Sequence, residues 1–430
     1  MSSKNISSNN KVITFGCRLN IYESEVITDL LNKSGRENTI VVNTCSVTNE
    51  AERQARQNIR RLRKENPDSK IIVTGCAAQT SSHMFESMKE VDQIMGNDNK
   101  MHLSSYMNEN ISKSLVMDDI MEVKEAAHHL LDGFNEKSRA FIQIQNGCNH
   151  RCTFCSIPYG RGNSRSVPIG HIVEQIRVLL DKGYKEIVFT GVDLTSYGED
   201  LPGEVALGAM CKRVLNLLPS LKRLRLSSLD SAEMDEDLWE LIEDERMLPH
   251  MHLSLQCGDD LILKRMKRRH SSKDSIDFCK RIKKIRPDMV IGADIIAGFP
   301  TETEEHFKNT LNTLNECDIT FLHVFPYSPR PGTPASRMPQ VEPHLIKERA
   351  KILREFGKNK RDTFLKSIIG TNGNILVESV DRKNNIAMGK TDHFVPSSMI
   401  FSESKEVKEG DLLSCNFKEF DDHEIMGKIN

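Results

Sequence analysis

Residues 140–155 read AFIQIQNGCNHRCTFC, a short run of strand character that delivers three cysteines, Cys148, Cys152 and Cys155, onto one loop. The spacing C-x3-C-x2-C lets three thiolates reach a single metal centre from that loop. A closed 4Fe-4S cluster takes four thiolates, so three leave one iron open to a small molecule with donor atoms of its own. The competing reading is a zinc knuckle, which pairs C-x2-C with a second Cys or His pair at a regular distance; no such pair follows here. Five more strand-like runs come after the loop: EIVFTGV (186–192), RLRLSSL (223–229), HMHLSLQ (250–256), VIGADIIAGF (290–299) and FLHVFPY (321–327), with helical patterns between them. This alternation predicts a parallel, barrel-like α/β sheet, and six units suit a partial (β/α)6 barrel better than a closed eightfold one. Function is then expected at the carboxyl ends of the strands.

Upstream, VITFGC (12–17), IVVNTC (40–45) and KIIVTGC (70–76) each end in a cysteine, with a weaker fourth run in VDQIMG (91–96). Cys17, Cys45 and Cys76 are 28 and 31 residues apart, about one strand-loop-helix unit. Parallel strands joined by such crossovers bring all three thiols to the carboxyl edge of one sheet, where open α/β sheets bind ligands. Three coincident core cysteines are the alternative, since free cysteine is often buried.

Eleven cysteines in 430 residues, without a secretory signal pattern or an apolar run long enough to span a bilayer, argue against an extracellular disulfide scaffold and predict a cytoplasmic location. The formal net charge is -2, so a polyanionic partner has to be held by local basic patches. The expected organisation is a disordered polar tail at 1–10, an α/β cluster-binding domain at 11–135, the barrel with a basic C-terminal helix at 136–366, and a small antiparallel β module at 367–430.

The loop GCNHRCTFC, with Phe154 before its third cysteine, resembles the radical S-adenosylmethionine (SAM) superfamily. The stretches FGCRLNIYESEVI (15–27), NTCSVTNEAERQARQNIRR (43–61) and VTGCAAQ (73–79) resemble the methylthiotransferase branch, and FPYSPRPGTPASRM (325–338) resembles another signature of it. GCRLN and NTCSVT are most similar to the enzymes acting on threonylcarbamoyladenosine in tRNA; the isopentenyladenosine branch is expected to carry GCQMN and NTC-x-IRE, and the ribosomal-protein branch GC-x-KN-x-x-DSE. The resemblance implies two 4Fe-4S clusters, one on Cys148, Cys152 and Cys155, where SAM is cleaved to a radical that removes a hydrogen from adenine carbon 2. The second, on Cys17, Cys45 and Cys76, holds the sulfur. It further implies SAM contacts at Gly191 and Asp193, at Ser227 and Ser228, at Gln256, and at Gly292 and Gly298, where two glycines leave room for a flat ring. Each of these also reads as an ordinary turn or strand-end residue.

By position the last segment resembles an RNA-binding TRAM domain, although residues 368–430 carry seven Lys/Arg against eleven Asp/Glu. Basic residues cluster elsewhere: Arg53, Arg56, Arg60, Arg61 and Arg63; Lys264 to Arg269; and Lys347 to Lys366. Arg330 and Arg337 are candidates to face a substrate phosphate. His150 reads as a solvated spacer, His252 and His323 as alternating strand positions, Cys211, Cys279, Cys317 and Cys415 as core residues, and Cys257 as a neighbour of the site, standing where the resemblance implies serine, either a tolerated swap or an oxidation-prone thiol. The function expected is methylthiolation of threonylcarbamoyladenosine in the anticodon loop of tRNA, with an electron donor such as flavodoxin or ferredoxin and an unidentified sulfur donor. Another tRNA base or a ribosomal protein is the nearer alternative substrate, and a non-catalytic iron-sulfur RNA-binding or electron-transfer protein the distant one.

Overall fold

A computed structural model describes residues 9–107, 114–131, 133–134, 138–203 and 205–430. The amino-terminal sheet contains β1 (Lys11–Thr14), β2 (Thr39–Thr44), β3 (Lys70–Gly75), β4 (Gln93–Met95) and β5 (Ser114–Val116), all parallel and in sequential order. Alternate residues of a strand face opposite sides. Val41 and Ile72 accordingly share a core with Val26, Ile27 and Leu30 of the helix Arg18–Ser34, whereas Ile40, Val42, Ile71 and Val73 pack with Ile59 and Leu62 of the helix Asn49–Glu65. Thr48 starts the second helix by accepting a hydrogen bond from Ala51 N at 3.2 Å. Of the expected tail, residues 1–8 lie outside the described residues, and Asn10 is fixed: its side chain donates to Arg36 O at 2.7 Å and accepts from Thr39 N at 3.0 Å.

The central domain begins with β6 (Arg139–Gln143) and a two-residue ribbon of β7 (Gln145–Asn146) and β8 (Arg165–Ser166) that brackets the cysteine loop. β9 (Glu186–Thr190) and β10 (Leu224–Leu226) extend β6 into a parallel sheet; β11 (His250–Gln256), β12 (Val290–Ala297) and β13 (Phe321–Pro326) form a second. Parallel bridges at Leu224–Met247 and Leu229–Leu253 join the halves, giving the six-stranded partial barrel. Capping boxes at Ser271 with Asp274 and at Thr303 with His306 start two of its outer helices.

The helix Pro343–Ile368 leads to a closed barrel of β14 (Asn372–Asp381), β15 (Ile386–Thr391), β16 (Pro396–Ile400), β17 (Leu412–Phe420) and β18 (Ile425–Ile429), in the order β14-β15-β16-β18-β17. The antiparallel expectation holds for every pairing except β16 with β18, which is parallel. This module docks at the amino ends of the central strands. Glu186 there pairs Arg139, Arg223 and Arg225, while Arg139 reaches Glu378 and Arg223 reaches Asp392 of the closed barrel. Among the described residues no helix is long and apolar enough to cross a membrane.

Candidate metal and cofactor site

Cys45 and Cys76 directly follow β2 and β3, and Cys17 follows β1 by three residues, so all three cysteines stand at the carboxyl edge of the first sheet. Two glycines allow the approach. A Cβ on Gly16, at φ +106°, would lie 2.9 Å from Cys45 Cβ, and one on Gly75, at φ +98°, would strike Thr44 O at 2.3 Å. Asn20 ties the first two turns together by donating to Phe15 O at 2.7 Å and Thr44 O at 3.1 Å. Its Oδ1 accepts from Cys17 Sγ at 3.6 Å, and Asn97 Nδ2 donates to Cys76 Sγ at 3.6 Å. Burial, then the neighbouring Cys76 thiol, pushes the Cys45 thiol up to about 12.

The tight triplet sits on the loop after β7, anchored by Cys148 N to Gly162 O at 3.1 Å and Thr153 N to Met266 O at 3.1 Å. Burial, then its sister Cys152, pushes Cys155 up to about 12, and burial with Asp193 raises Cys148 still further. Cys148 Sγ donates to Asp193 Oδ2 at 3.5 Å, and Arg268 Nη1 donates to Cys152 Sγ at 3.8 Å. Cys148 and Cys155, buried in this way, resist ionisation unless a cation takes their charge. Donor chemistry on both sides therefore fits an iron-sulfur cluster held by three thiolates, with hydrogen-bond donors on Cys76 and Cys152 to temper the sulfur charge.

The two triplets are adjacent. The short helix Ile157–Arg161 after the tight triplet packs on the helix Cys76–Thr80, where a Cβ on Gly160 would lie 3.4 Å from Cys76 Cβ. Arg161 crosses between them, donating to Asn20 Oδ1 at 2.6 Å and Glu23 Oε1 at 2.7 Å; Lys100 Nζ meets Glu23 Oε2 at 2.6 Å. Burial opposes charge on Arg161, yet Cys76, Glu23 and Cys17 together hold its pKa well above the ordinary value. Burial by itself would raise Glu23, but Arg161 and Lys100 hold it at about 2.

The expected cofactor contacts divide into two groups. Asp193 is brought to the cysteine loop, where Ser196 Oγ donates to its Oδ2 at 2.9 Å and His150 Nε2 lies 2.9 Å away. Gly191 lies beside it, packed against Gln145, whose Oε1 accepts from Val192 N and Asp193 N at 2.9 Å each. Ser227, buried with its Oγ unpartnered, follows β10; Ser228 Oγ pairs with Ser254 Oγ at 2.8 Å; and Gln256 ends β11 at φ 68°. Gly292 and Gly298 form the second group. The place a Cβ would take at Gly292 is held by His252 Nδ1, 2.6 Å away, and that at Gly298 by Ile346 at 2.6 Å.

Other corrections follow from tertiary partners that no local pattern shows. His150 is a buried residue, not a solvated spacer, and its pairing with Asp193 and then Glu233 raises its pKa to about 10. Arg268, read as part of a basic run, anchors on Asp230 Oδ2 at 2.6 Å beside the cysteine loop. Arg330 is buried and pairs with Glu52 and with Asn49 Oδ1 at 2.6 Å, so it fastens the first domain to the barrel; Arg337 is exposed. His252 and His323 both approach Asp294 Oδ1, at 3.0 and 3.3 Å, on neighbouring strands. Cys257 is buried with Sγ 3.3 Å from Thr310 Oγ1, and the remaining four cysteines are buried as expected.

Comparison with known proteins agrees with this architecture. Residues 142–314 match the radical SAM superfamily and residues 9–96 match uncharacterized protein family UPF0004. The chain is 56% identical over 387 residues to the threonylcarbamoyladenosine tRNA methylthiotransferase MtaB of Rickettsia prowazekii, covering 90% of each chain. It is 37% identical to the protein of the same name from Aquifex aeolicus, covering 82% of this chain and 88% of that one. Among solved structures, the radical SAM methyltransferase TsrM of Kitasatospora setae, with cobalamin and a [4Fe-4S] cluster bound, superposes with a TM-score of 0.55 at 13% identity, covering 76% of this chain and 77% of that one. That likeness is one of fold.

Proposed function

The chain belongs to the radical SAM methylthiotransferase family, and on that premise we propose that it converts threonylcarbamoyladenosine in the anticodon loop of tRNA to its 2-methylthio derivative. The observation that carries this reading is the pair of three-thiol sites placed side by side, each lacking a fourth thiol. When bound, two 4Fe-4S clusters and SAM supply one-electron cleavage, a radical able to attack an unactivated C–H, and the sulfur and methyl groups to be inserted. Cys148, Cys152 and Cys155 hold the first cluster; Cys17, Cys45 and Cys76 hold the second. Asp193 and Gly191, with Ser227, Ser228 and Gln256 at neighbouring strand ends, receive the polar groups of SAM: Asp193 as acceptor for its ammonium, the serines and Gln256 for ribose or carboxylate. An unpaired anticodon-loop base reaches this edge at lower cost than a paired one. The reading includes a one-electron donor of flavodoxin or ferredoxin type and a cytoplasmic location; eleven unpaired cysteines suit a reducing compartment.

Anaerobic reconstitution tests the assignment. The intact chain is expected to hold roughly eight irons and to cleave SAM with dithionite. Replacing Cys17, Cys45 and Cys76 by alanine leaves SAM cleavage and removes methylthiolation; replacing Cys148, Cys152 and Cys155 removes both. A protein that takes up iron and leaves SAM intact refutes the proposal.

A further inference from the structure

The interior of the partial barrel is polar where a packed barrel is filled by branched apolar side chains. Arg18, next to Cys17, turns into it: its guanidinium carbon lies 4.9 Å from the centre of the Phe394 ring, and those of Arg139 and Arg225 approach the same ring to 5.2 and 4.7 Å. Among the described residues the Arg18 side chain forms no ion pair or hydrogen bond, and Glu186 and Asp294 act on it only from beyond contact distance. Arg139 and Arg225 are buried, and although both pair with Glu186, Arg139 Nη2 and Arg225 Nη1 have no partner. Glu186 is itself shared with Arg223, and although Glu378 and Asp392 of the closed barrel take a further contact from Arg139 and Arg223, two buried guanidinium donors are left over. Buried, unsatisfied cationic donors are costly, and an incoming carboxylate would pair with them.

This group lies below the strand ends that line the cofactor edge. Arg225 precedes Ser227 by two residues, and residues two apart along a strand share a face. On the opposite strands His252, Asp294 and His323 bring ligand atoms within 4.8 Å of one another. The cation excess beside them disfavours a divalent metal there and leaves two imidazoles and a carboxylate to meet hydroxyl and amide groups.

We propose that the barrel interior is the pocket for the substituent on the target adenine, and that Arg18 selects a substituent ending in a carboxylate by pairing with it. The proposal rests on the substrate reading above, since the threonylcarbamoyl group carries a carboxylate, a hydroxyl and a urea-like linkage. An apolar substituent such as isopentenyl would leave the guanidinium donors unpaired, which is how a polar site rejects an analogue lacking the matching group.

The test uses the reconstituted holoenzyme and the nucleoside threonylcarbamoyladenosine, its carboxamide and isopentenyladenosine, with affinity measured by equilibrium dialysis. The unmodified protein is expected to prefer the carboxylate over the carboxamide by about tenfold to a hundredfold, as for a charge-assisted hydrogen bond. Arg18→Gln, compared with the unmodified protein at equal iron content, loses that preference; Arg18→Lys, which keeps the charge, retains most of it. Equal affinity of the unmodified protein for acid and amide overturns the proposal, as does full preference in Arg18→Gln. Loss of preference in Arg18→Lys also overturns it, which keeps the test decisive if the glutamine variant binds iron poorly. The substrate reading fails separately, if tRNA bearing threonylcarbamoyladenosine is left unmodified by the unmodified protein.

Discussion

Asp193 accepts from Cys148 and Ser196, takes a third hydrogen bond from Thr195 Oγ1 at 3.2 Å, and faces His150. Four polar contacts fix its carboxylate beside the cysteine loop. Asp193→Asn keeps the shape and removes the charge. It is expected to weaken SAM binding about tenfold, the scale of one charge-assisted hydrogen bond, with iron content retained; SAM affinity measured by dialysis and equal to that of the unmodified protein would contradict the assignment. The spacing of Cys148, Cys152 and Cys155 was legible because a single loop carries all three. His150 was not, since its partners Asp193 and Glu233 come from other strand ends, and neither was Arg268, whose charge in sequence resembles any solvated run. At Gly292 and Gly298 the sequence shows only that something approaches the Cα; the structure shows His252 and Ile346 there.

The helix Asn49–Glu65 buries Ala55, Ile59 and Leu62, so its arginines fall on different faces. Arg60 and Arg61 are exposed, whereas Arg63 donates to Ser69 O at 2.6 Å and Pro67 O at 2.9 Å and pairs with Asp92. Charge reversal at Arg60 and Arg61 is expected to lower tRNA affinity and to flatten its salt dependence by about one to two units of slope, which binding titrations at several salt concentrations check. Arg63→Glu instead is expected to lower the unfolding midpoint with the helix surface otherwise intact. Strand periodicity located β1 to β4 and all six barrel strands to within a few residues, because apolar alternation and the cysteines after each strand reinforce one another. The three-residue β5 escaped it. Parallel pairing of β16 with β18 also escaped, since it depends on how the small barrel closes and not on either strand's own pattern.

Three domains are joined through charge. Burial alone would raise the Glu186 pKa, but Arg225, Arg139 and Arg223 outweigh it and bring it from 4.5 to about 2. A depressed carboxylate stabilises the fold fully above its unfolded value and loses that contribution as pH falls through the folded one, here between about 4.5 and 2. The shift corresponds to roughly 3 kcal/mol. Glu186→Gln is therefore expected to lower the urea midpoint at neutral pH and to approach the unmodified protein as pH falls through that window; coincident midpoints at neutral pH would show that the arginines are held otherwise. At the same scale Arg161, Arg330 and the Glu186 group lock the first sheet, the barrel and the closed module together, so the two cysteine triplets stand at a set separation. The central claim, that these paired sites methylthiolate threonylcarbamoyladenosine, is tested most directly by nucleoside mass spectrometry of tRNA bearing that base after incubation with the reconstituted enzyme, SAM, sulfide and a reductant. The account predicts loss of threonylcarbamoyladenosine with matching gain of its 2-methylthio derivative; unchanged nucleoside from an enzyme that cleaves SAM would contradict it.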